Sequence, residues 1–368
     1  MNISLIILAG GFSRRMGVFK PMLPVNGIPA VLRCVQVGKE SGVCEILVIT
    51  GHMRKKLEEA LAGLASEVKL IHNEDYDTGM FSSVCTGVKA LSNNTQGFFL
   101  LPADCCAVTP ETLTTLVSAF ADSEGRVVVR PKFEGRRGHP PLIPAVYKER
   151  LLSYGGEAGL KAVLRALPTF EVEMKNPASL FDMDTPDDYA QLLSFLGLRN
   201  YPTPERCEQL LSEYAVSQQI VEHGEAVAAL ACKLASHMNA RGAEIDIPLL
   251  RSACLLHDIR RASPKHAQAG KELLLCEGFP EAAMLISEHM DLSTPVTSIT
   301  ERELLYLADK LCRGGKIVGI EHTICELSDK YTSEPEAQKK ALERMESARD
   351  ICDMFIEKYG KPDFLKYN

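Results

Sequence analysis

The pattern of apolar residues changes near residue 198, and this change constrains the fold more than any other feature of the chain. Up to that point, short apolar runs alternate with stretches of helical periodicity. The strand-like runs are Ser4–Leu8, Glu45–Ile49, Val68–Ile71 and Gly97–Leu101, and helical segments such as Ala30–Ser41 and Met53–Ala65 lie between them. Alternation of this kind is typical of a layered α/β domain with a mainly parallel sheet.

The segment that follows contains Pro202 and Pro204, and prolines so close together stop regular structure. Beyond it every pattern is helical: Glu205–Asn239, Pro248–Asp258, His266–Glu277, Pro280–His289, Glu301–Cys312 and Glu336–Tyr359. A chain of 368 residues suits two domains. We therefore predict an α/β domain over 1–198, a linker over 199–204, an all-α domain over 205–330 and a C-terminal helical extension over 331–368.

Composition and charge restrict the cellular context. The net charge of −7 argues against general binding to nucleic acid, which needs a basic surface. The apolar N-terminal run MNISLIILAGG lacks a basic leader and is too short to span a bilayer. The twelve cysteines are scattered and contain no CxxC pair, which favours reduced thiols. We expect a cytoplasmic protein with neither a nucleic-acid nor a membrane partner.

A glycine-rich loop follows the first predicted strand, with the sequence Leu8-Ala-Gly-Gly-Phe-Ser-Arg-Arg-Met-Gly-Val-Phe-Lys20. Glycines allow backbone N–H groups to approach a phosphate, and Arg15 and Lys20 can neutralise a triphosphate. The loop matches neither the GxGxxG fingerprint nor the GxxxxGK[ST] P-loop. Taken alone, it is equally well interpreted as a turn with incidental basic side chains.

The whole string resembles the molybdenum cofactor nucleotidyltransferase family. Four later segments match family motifs in order: Gly79–Val88 (GMFSSVCTGV), Leu100–Asp104 (LLPAD), Gly138–Pro140 (GHP) and Asp182–Asp187 (DMDTPD). The resemblance implies a Rossmann-like α/β fold of the GT-A type for residues 1–198. It also implies transfer of CMP from CTP to molybdopterin with release of pyrophosphate, and a molybdoenzyme apoprotein as a further partner.

The resemblance also implies a role for individual residues. Arg15, Lys20 and Asp104 would be catalytic, and Asp104 and Asp184 would hold magnesium, with Asp182 as the alternative to Asp184. The nucleotide would contact Leu8, Ala9, Gly10, Gly11, Lys20, Gly79, Ser82 and Ser83. Independently of the family, a carboxylate at the end of a strand suits magnesium, and nucleotidyl transfer depends on positioning and charge neutralisation.

Donor and acceptor remain open at this level. The LAGG loop resembles the guanylyl-transferring branch of the family, whereas GMFSSV and GHP resemble the cytidylyl-transferring branch, so CTP is favoured and GTP is the alternative. The acceptor is molybdopterin or another phosphorylated small molecule, such as a sugar or alcohol phosphate. Cys106 stands where the family usually has proline, and His139 either contacts ligand or packs its own loop.

A second set of candidate residues lies on the predicted helices of the C-terminal half. It comprises His223, the pair His257-Asp258, His266, His289 and Asp309. A histidine on an apolar helix face is usually a core residue, but an ionised carboxylate buried behind Ala-Cys-Leu-Leu is costly without a cation. Imidazoles and carboxylates that converge from separate helices form divalent transition-metal sites.

The order and context of these residues (LLHD, HAxxG, ISEH and LLYLADKL) resemble the HD domain superfamily. The resemblance implies His223, His257, Asp258 and Asp309 as core ligands, with His266 and His289 added where a second ion binds. One or two ions such as Mn²⁺ or Fe would activate water for hydrolysis of a phosphate ester or anhydride. The alternative is a regulatory domain that only senses a metal or nucleotide.

Overall fold

The computed structural model describes residues 1–154, 159–313, 316–318, 320, 323–324 and 335–365. These residues form two compact units, Met1–Leu198 and Arg199–Asn368. The domain boundary expected at residue 330 lies outside the described residues.

The first unit is built from alternating strands and helices. Its strands are β1 (Ile3–Leu8), β2 (Pro24–Val25), β3 (Ile28–Pro29), β4 (Glu45–Thr50), β5 (Lys69–His72), β6 (Gly97–Pro102), β7 (Val128–Phe133), β8 (Arg136–Arg137), β9 (Leu142–Pro144) and β10 (Thr169–Glu173). Its α-helices are α1 (Ala30–Glu40), α2 (Arg54–Leu61), α3 (Met80–Ala90), α4 (Pro110–Asp122), α5 (Lys148–Leu152), α6 (Gly159–Arg165) and α7 (Pro186–Phe195). The four predicted strands and two predicted helices are all present, with ends that shift by a few residues.

The main sheet has the strand order β10-β7-β9-β6-β1-β4-β5, with β8 on the edge of β7. Strands β6, β1, β4 and β5 are parallel neighbours. β9 runs antiparallel to both β6 and β7, so the sheet is mixed rather than mainly parallel. Because β9 opposes both neighbours, β6 and β7 point the same way and their carboxyl ends lie at one edge of the sheet.

The core of this unit lies on both faces of β1, whose six residues are all buried. Two helical glycines set the distance between helix and sheet. A Cβ at Gly38 of α1 would lie 2.6 Å from Leu5 Cδ2, and one at Gly87 of α3 would lie 2.6 Å from Ile6 Cγ2. Since side chains alternate along a strand, α1 and α3 pack on opposite faces of β1.

The strand order positions a ligand site. After β1 the chain continues to β4 and β5 on one side, and it then crosses to β6 on the other side of β1. In α/β sheets, ligands bind at such a switch point, beyond the carboxyl ends of the strands. The loops that follow β1 and β6 therefore meet where a substrate would bind.

Among its described residues, the second unit is helical apart from a two-residue ladder between β11 (Cys312–Arg313) and β12 (Lys316–Ile317). Its helices are α8 (Pro204–Glu213), α9 (Gln218–Asn239), α10 (Ile247–Leu256), α11 (His266–Cys276), α12 (Pro280–Ser287), α13 (Glu301–Leu311) and the C-terminal helix Pro335–Tyr359. No helix among the described residues combines the length and apolar character that a membrane span requires.

One predicted helix of this unit is wrong. The segment Glu205–Asn239 was expected to be continuous, but it forms α8 and α9 with a break between them. At the break Ala215 adopts a left-handed φ of 48°, and the Val216 N–H donates to the Leu211 carbonyl at 3.0 Å. This bond caps the last carbonyls of α8 and turns the chain away from the helix axis.

Candidate nucleotide cleft and metal centre

A cleft of about 420 Å³ opens at the carboxyl edge of the main sheet, where the strand order places a ligand site. Ten of the residues predicted for the transferase site line it: Leu8, Ala9, Gly10, Gly11, Arg15, Lys20, Gly79, Ser83, Asp104 and Asp184. Ser82 is not among the lining residues. Its hydroxyl accepts from Asn73 Nδ2 at 2.8 Å and lies 2.8 Å from two backbone carbonyls, so it is used within the chain.

Gly10 and Gly11 serve the loop after β1 in different ways. A Cβ at Gly10 would lie 3.2 Å from the Gly51 backbone nitrogen, so this glycine allows the loop to pack on the end of β4. A Cβ at Gly11 would meet no atom within 4 Å. Packing within the chain therefore does not require a glycine at position 11. A ligand that approaches the backbone closely at this position does require one.

Opposite charges converge at the floor of the cleft. Lys20 Nζ donates to Asp104 Oδ2 and lies 2.9 Å from Asp184 Oδ1. Arg15 Nη1 lies 2.7 Å from Asp184 Oδ2, while three quarters of its side chain stays exposed. One ammonium reaches both carboxylates, so Asp104 after β6 and Asp184 before α7 face a common point.

In the second unit, the six predicted metal ligands come together in the helical core. The ligand atoms of His223, His257 and Asp258 lie within 4.8 Å of one another, and so do those of Asp258, His266 and His289. The sixth residue, Asp309, joins the first group, because its Oδ1 lies 3.0 Å from His223 Nε2 and 3.4 Å from His257 Nε2. His257, Asp258 and His289 are buried.

The imidazole orientations suit a cation. His257 Nδ1 lies 2.7 Å from the Cys254 carbonyl and His289 Nδ1 lies 2.7 Å from the Ile286 carbonyl, so each donates its Nδ1–H to the backbone. This tautomer leaves Nε2 as an acceptor that points into the cluster. His257 Nε2 is buried and has no hydrogen-bond partner among the described residues. Lone pairs that face carboxylate oxygens in a buried cluster call for a positive ion between them.

Asp258 belongs to both groups of ligands. Its Oδ2 lies 3.7 Å from His257 Nε2, while its Oδ1 lies 3.3 Å from His266 Nε2 and 3.5 Å from His289 Nε2. The two oxygens of one carboxylate thus face two neighbouring positions.

Comparisons with known proteins identify a domain in each half of the chain. Residues 5–172 match the family model of the MobA-like NTP transferase domain, and residues 220–314 match that of the HD domain. The chain carries a MobA-like NTP transferase domain and an HD domain. It is thus a nucleotidyltransferase of this family joined to an HD domain, and an NTP substrate is implied by the family.

Three relatives align with parts of the chain. The chain is 29% identical over 188 residues to the molybdenum cofactor cytidylyltransferase of Escherichia coli (strain K12). The aligned region covers 51% of this chain and 93% of the relative. It is 26% identical over 211 residues to the probable molybdenum cofactor guanylyltransferase of Natranaerobius thermophilus, or 53% of this chain and 97% of the relative. The bifunctional protein GlmU of Geotalea daltonii is 32% identical over 118 residues, which cover 32% of this chain and 25% of that protein.

Ionisation in the transferase domain follows from the contacts of Lys20. Burial alone would lower the pKa of Lys20, but the nearby Asp104 and Asp184 outweigh it and raise the pKa above its ordinary value. The hydrogen bond from Lys20 lowers the pKa of Asp184. By contrast, burial and the charges of Asp184 and Asp104 raise the pKa of Asp182, which does not line the cleft. The geometry therefore favours Asp184 over Asp182 as the partner of Asp104.

Cys106, which replaces the usual proline of the transferase family, is a core residue. Its side chain is buried, and burial raises the pKa of its thiol to about 12. Its carbonyl accepts from Arg33 Nε at 3.5 Å, and Cys106 does not line the cleft.

Several residues of the transferase cleft carry no sequence signal. Phe12 and Tyr76 line it with their ring centroids 5.4 Å apart, although they come from the loops after β1 and β5. The buried side chain of Asn73 donates to Ser82 Oγ at 2.8 Å and Ser83 Oγ at 3.0 Å, which fixes the first turn of α3. An asparagine after a strand is too common to be noticed without the structure.

In the HD domain, the carboxylates and bases shift one another's pKa values. Burial opposes a charge on the His257 ring, but the neighbouring Asp309 outweighs it and raises the pKa of His257. Burial likewise opposes ionisation of Asp309, yet Lys310 and the two histidines hold its pKa well below its ordinary value. Sequence reasoning also missed Arg261, which is half exposed and places Nη1 3.3 Å from Asp258 Oδ1.

Proposed function

We propose that the N-terminal domain transfers CMP from CTP to the phosphate group of molybdopterin and releases pyrophosphate. The observation that carries this proposal is the convergence of Lys20, Arg15, Asp104 and Asp184 on the open backbone at Gly11. The Escherichia coli relative, named as a cytidylyltransferase, aligns over 93% of its length and supports CTP and molybdopterin. GTP is the alternative donor, supported by the relative named as a probable guanylyltransferase.

The residues of the cleft act by positioning and by neutralising charge. An acceptor phosphate oxygen attacks the α-phosphorus of the NTP, and the bond to the bridging oxygen breaks as its electron pair leaves with pyrophosphate. Lys20 and Arg15 offset the negative charge of the triphosphate, and the first turn of α3, which has no side-chain cap, lies beside Gly79 where helix N-terminal N–H groups suit a phosphate.

The residues of the cleft fit magnesium. Asp104 and Asp184 offer carboxylate oxygens that reach one point, and hard oxygen donors suit this ion. These two aspartates would hold it, and bound magnesium would supply additional neutralisation of phosphate charge. Lys20 would then be released from the carboxylates and turn its ammonium to the phosphates.

We further propose that the HD domain is a metal-dependent phosphohydrolase with two neighbouring ion positions. His223, His257 and Asp309 would serve the first position, His266 and His289 the second, and Asp258 both. Mn²⁺ or Fe ions suit this mixture of imidazole and carboxylate, and they would supply an activated water. The half-exposed Arg261 guanidinium beside Asp258 would contact the phosphate of the substrate.

A screen of donors and acceptors tests the transferase proposal. Purified full-length protein with magnesium is offered each NTP in turn, with molybdopterin, a sugar phosphate or an alcohol phosphate. Pyrophosphate release is expected with CTP and molybdopterin, and release only with a sugar phosphate would refute the proposed acceptor.

The HD domain requires its own control in that screen. The Asp258→Ala variant should lose phosphate release from a generic phosphomonoester while its pyrophosphate release is unchanged. If phosphomonoester hydrolysis persists in this variant, the HD domain is not the phosphohydrolase and a sensor role is favoured.

A further inference from the structure

Three buried polar atoms in the transferase unit have no hydrogen-bond partner among the described residues. They are Arg130 Nε, His139 Nδ1 and Ser179 Oγ. An unpaired buried polar group costs roughly 1–3 kcal/mol. Three such groups, including one guanidinium, indicate a position that a polar ligand completes.

The segments that carry these three residues are in contact. The His139 N–H donates to the Ser179 carbonyl at 2.8 Å, and the Gly138 N–H donates to the carbonyl of Pro131, the residue after Arg130, at 2.8 Å. A Cβ at Gly138 would lie 2.5 Å from Ser179 Oγ. The glycine of the GHP motif thus allows the turn that carries His139 to lie directly against Ser179.

The cluster lies at the same edge of the sheet as the nucleotide cleft, on the other side of Asp104. Arg130 is on β7, whose carboxyl end shares an edge with that of β6. The GHP turn leads into Pro141, whose carbonyl accepts from the Leu100 N–H of β6 at 3.2 Å. The nucleotide-binding loops follow β1 and β5, so β6 and Asp104 lie between them and the cluster.

The positive charge of the cluster is only partly offset, because Glu171 acts on Arg130 and Asp104 acts on His139 without an ion pair to either. Glu171 pairs with Arg137 at 2.5 Å and with Lys132 at 3.5 Å, and no described carboxylate forms an ion pair with Arg130. Burial lowers the pKa of both Arg130 and His139, and each also feels a neighbouring guanidinium. A bound anion would relieve both effects.

We infer that Arg130, His139 and Ser179 form the subsite that binds the phosphate monoester of the acceptor. Arg130 Nε–H and Ser179 Oγ–H would donate to phosphate oxygens, and His139 would donate through Nδ1. This inference rests on the proposed transferase function, because it takes the acceptor to be a phosphorylated small molecule. On this inference the nucleotide and the acceptor would approach Asp104 from opposite sides, as an in-line reaction requires.

Inorganic phosphate is the probe that tests this subsite without knowledge of the acceptor. Its binding to full-length protein with magnesium and a non-hydrolysable CTP analogue is measured by equilibrium dialysis. Arg130→Ala should weaken the phosphate affinity about tenfold or more, since charge-assisted hydrogen bonds contribute about 1.5–3 kcal/mol. The affinity for the CTP analogue should not change.

The matched control is Arg136→Ala, which removes an exposed guanidinium from the adjacent strand β8. It should bind phosphate like the wild type, and the comparison cancels phosphate bound in the HD domain. Arg130→Gln, which keeps a polar side chain of similar reach, replaces the alanine variant if that protein does not fold.

Two results would overturn the inference. One is unchanged phosphate binding in both Arg130 variants, and the other is an equal loss of CTP-analogue binding, which would place Arg130 in the nucleotide site. Failure of the transferase proposal would give a different result from failure of the subsite inference. In that case no NTP and acceptor pair would release pyrophosphate, whereas loss of phosphate binding in Arg130→Ala would still establish the anion site.

Discussion

Replacement of Asp258 by alanine should empty both ion positions of the HD domain at once. The reason is geometric, because one oxygen of Asp258 faces His257 and the other faces His266 and His289. If the wild type holds the two ions per chain that we propose, Asp258→Ala should hold close to none. His266→Ala removes a ligand from the second position alone, so one ion should remain.

The loss of metal should be visible as a loss of stabilisation. An ion present at about 100 times its dissociation constant stabilises the folded state by roughly 2.7 kcal/mol. For a unit of this size, each kcal/mol corresponds to about 2–4 °C, so each Mn²⁺ ion should raise the melting temperature by roughly 5–11 °C. The wild type should show this rise on addition of Mn²⁺, His266→Ala a smaller one, and Asp258→Ala none.

Metal content by inductively coupled plasma mass spectrometry and thermal unfolding with and without Mn²⁺ measure these effects. The control is His237→Ala, because His237 Nε2 contacts the Tyr359 carbonyl at 2.9 Å and its ring stacks on Phe355, outside the cluster. This variant should keep both ions. One tightly bound ion in Asp258→Ala would refute the shared-carboxylate arrangement.

Three further predictions concern the transferase domain. Lys20→Met should lower kcat/KM for pyrophosphate release by about 100-fold or more, because two charge-assisted contacts of about 1.5–3 kcal/mol each from its ammonium to the phosphates would be lost, while phosphomonoester hydrolysis by the HD domain is unchanged. Gly11→Ala should leave the melting temperature unchanged, since its Cβ meets no atom within 4 Å, but should raise the KM for the NTP about tenfold in steady-state assays. Burial opposes ionisation of Glu45, but the hydrogen bonds that Glu45 accepts from Lys69 and Ser92 outweigh burial and lower the pKa of Glu45 below 4.5. The ionised Glu45 therefore stabilises the folded state above pH 4.5, and this stabilisation is lost as the pH falls through the lowered pKa. Denaturant unfolding of Glu45→Gln between pH 7 and pH 3 should show a shallower loss of stability than the wild type, and an equally steep loss would contradict this assignment.

The sequence was most informative where a local pattern determines the structure. The strand β1 is apolar at five of its six positions and every one is buried, so its existence and the loop after it could be read directly. The metal cluster was predictable for a related reason. An aspartate behind an apolar run has to meet a cation in the core, and Asp258 is 7% exposed.

Features that depend on distant parts of the chain could not be read in this way. The antiparallel strand β9 is preceded by a turn at Gly138 that packs against Ser179, some forty residues away. Ser82 and Ser83 are adjacent in the motif, yet on a helix neighbouring side chains point in different directions, and only Ser83 lines the cleft. The helix break at Ala215 depends on a left-handed conformation that alanine rarely adopts.

Both the transferase site and the HD site contain two aspartates, and the two sites differ in the side chains that accompany these aspartates. Asp104 and Asp184 share a lysine ammonium, so the first site offers only oxygen donors and has a positive charge beside them. Asp258 and Asp309 share imidazole nitrogens whose lone pairs face inward, and the Lys310 ammonium is bound to Asp309 Oδ2 and the His289 carbonyl. Oxygen donors favour magnesium, whereas imidazole favours later divalent metals, so the donor sets direct different ions to the two domains. Because the ligand sets differ, we expect magnesium at the first site and a later divalent metal at the second when both ions are present in one solution.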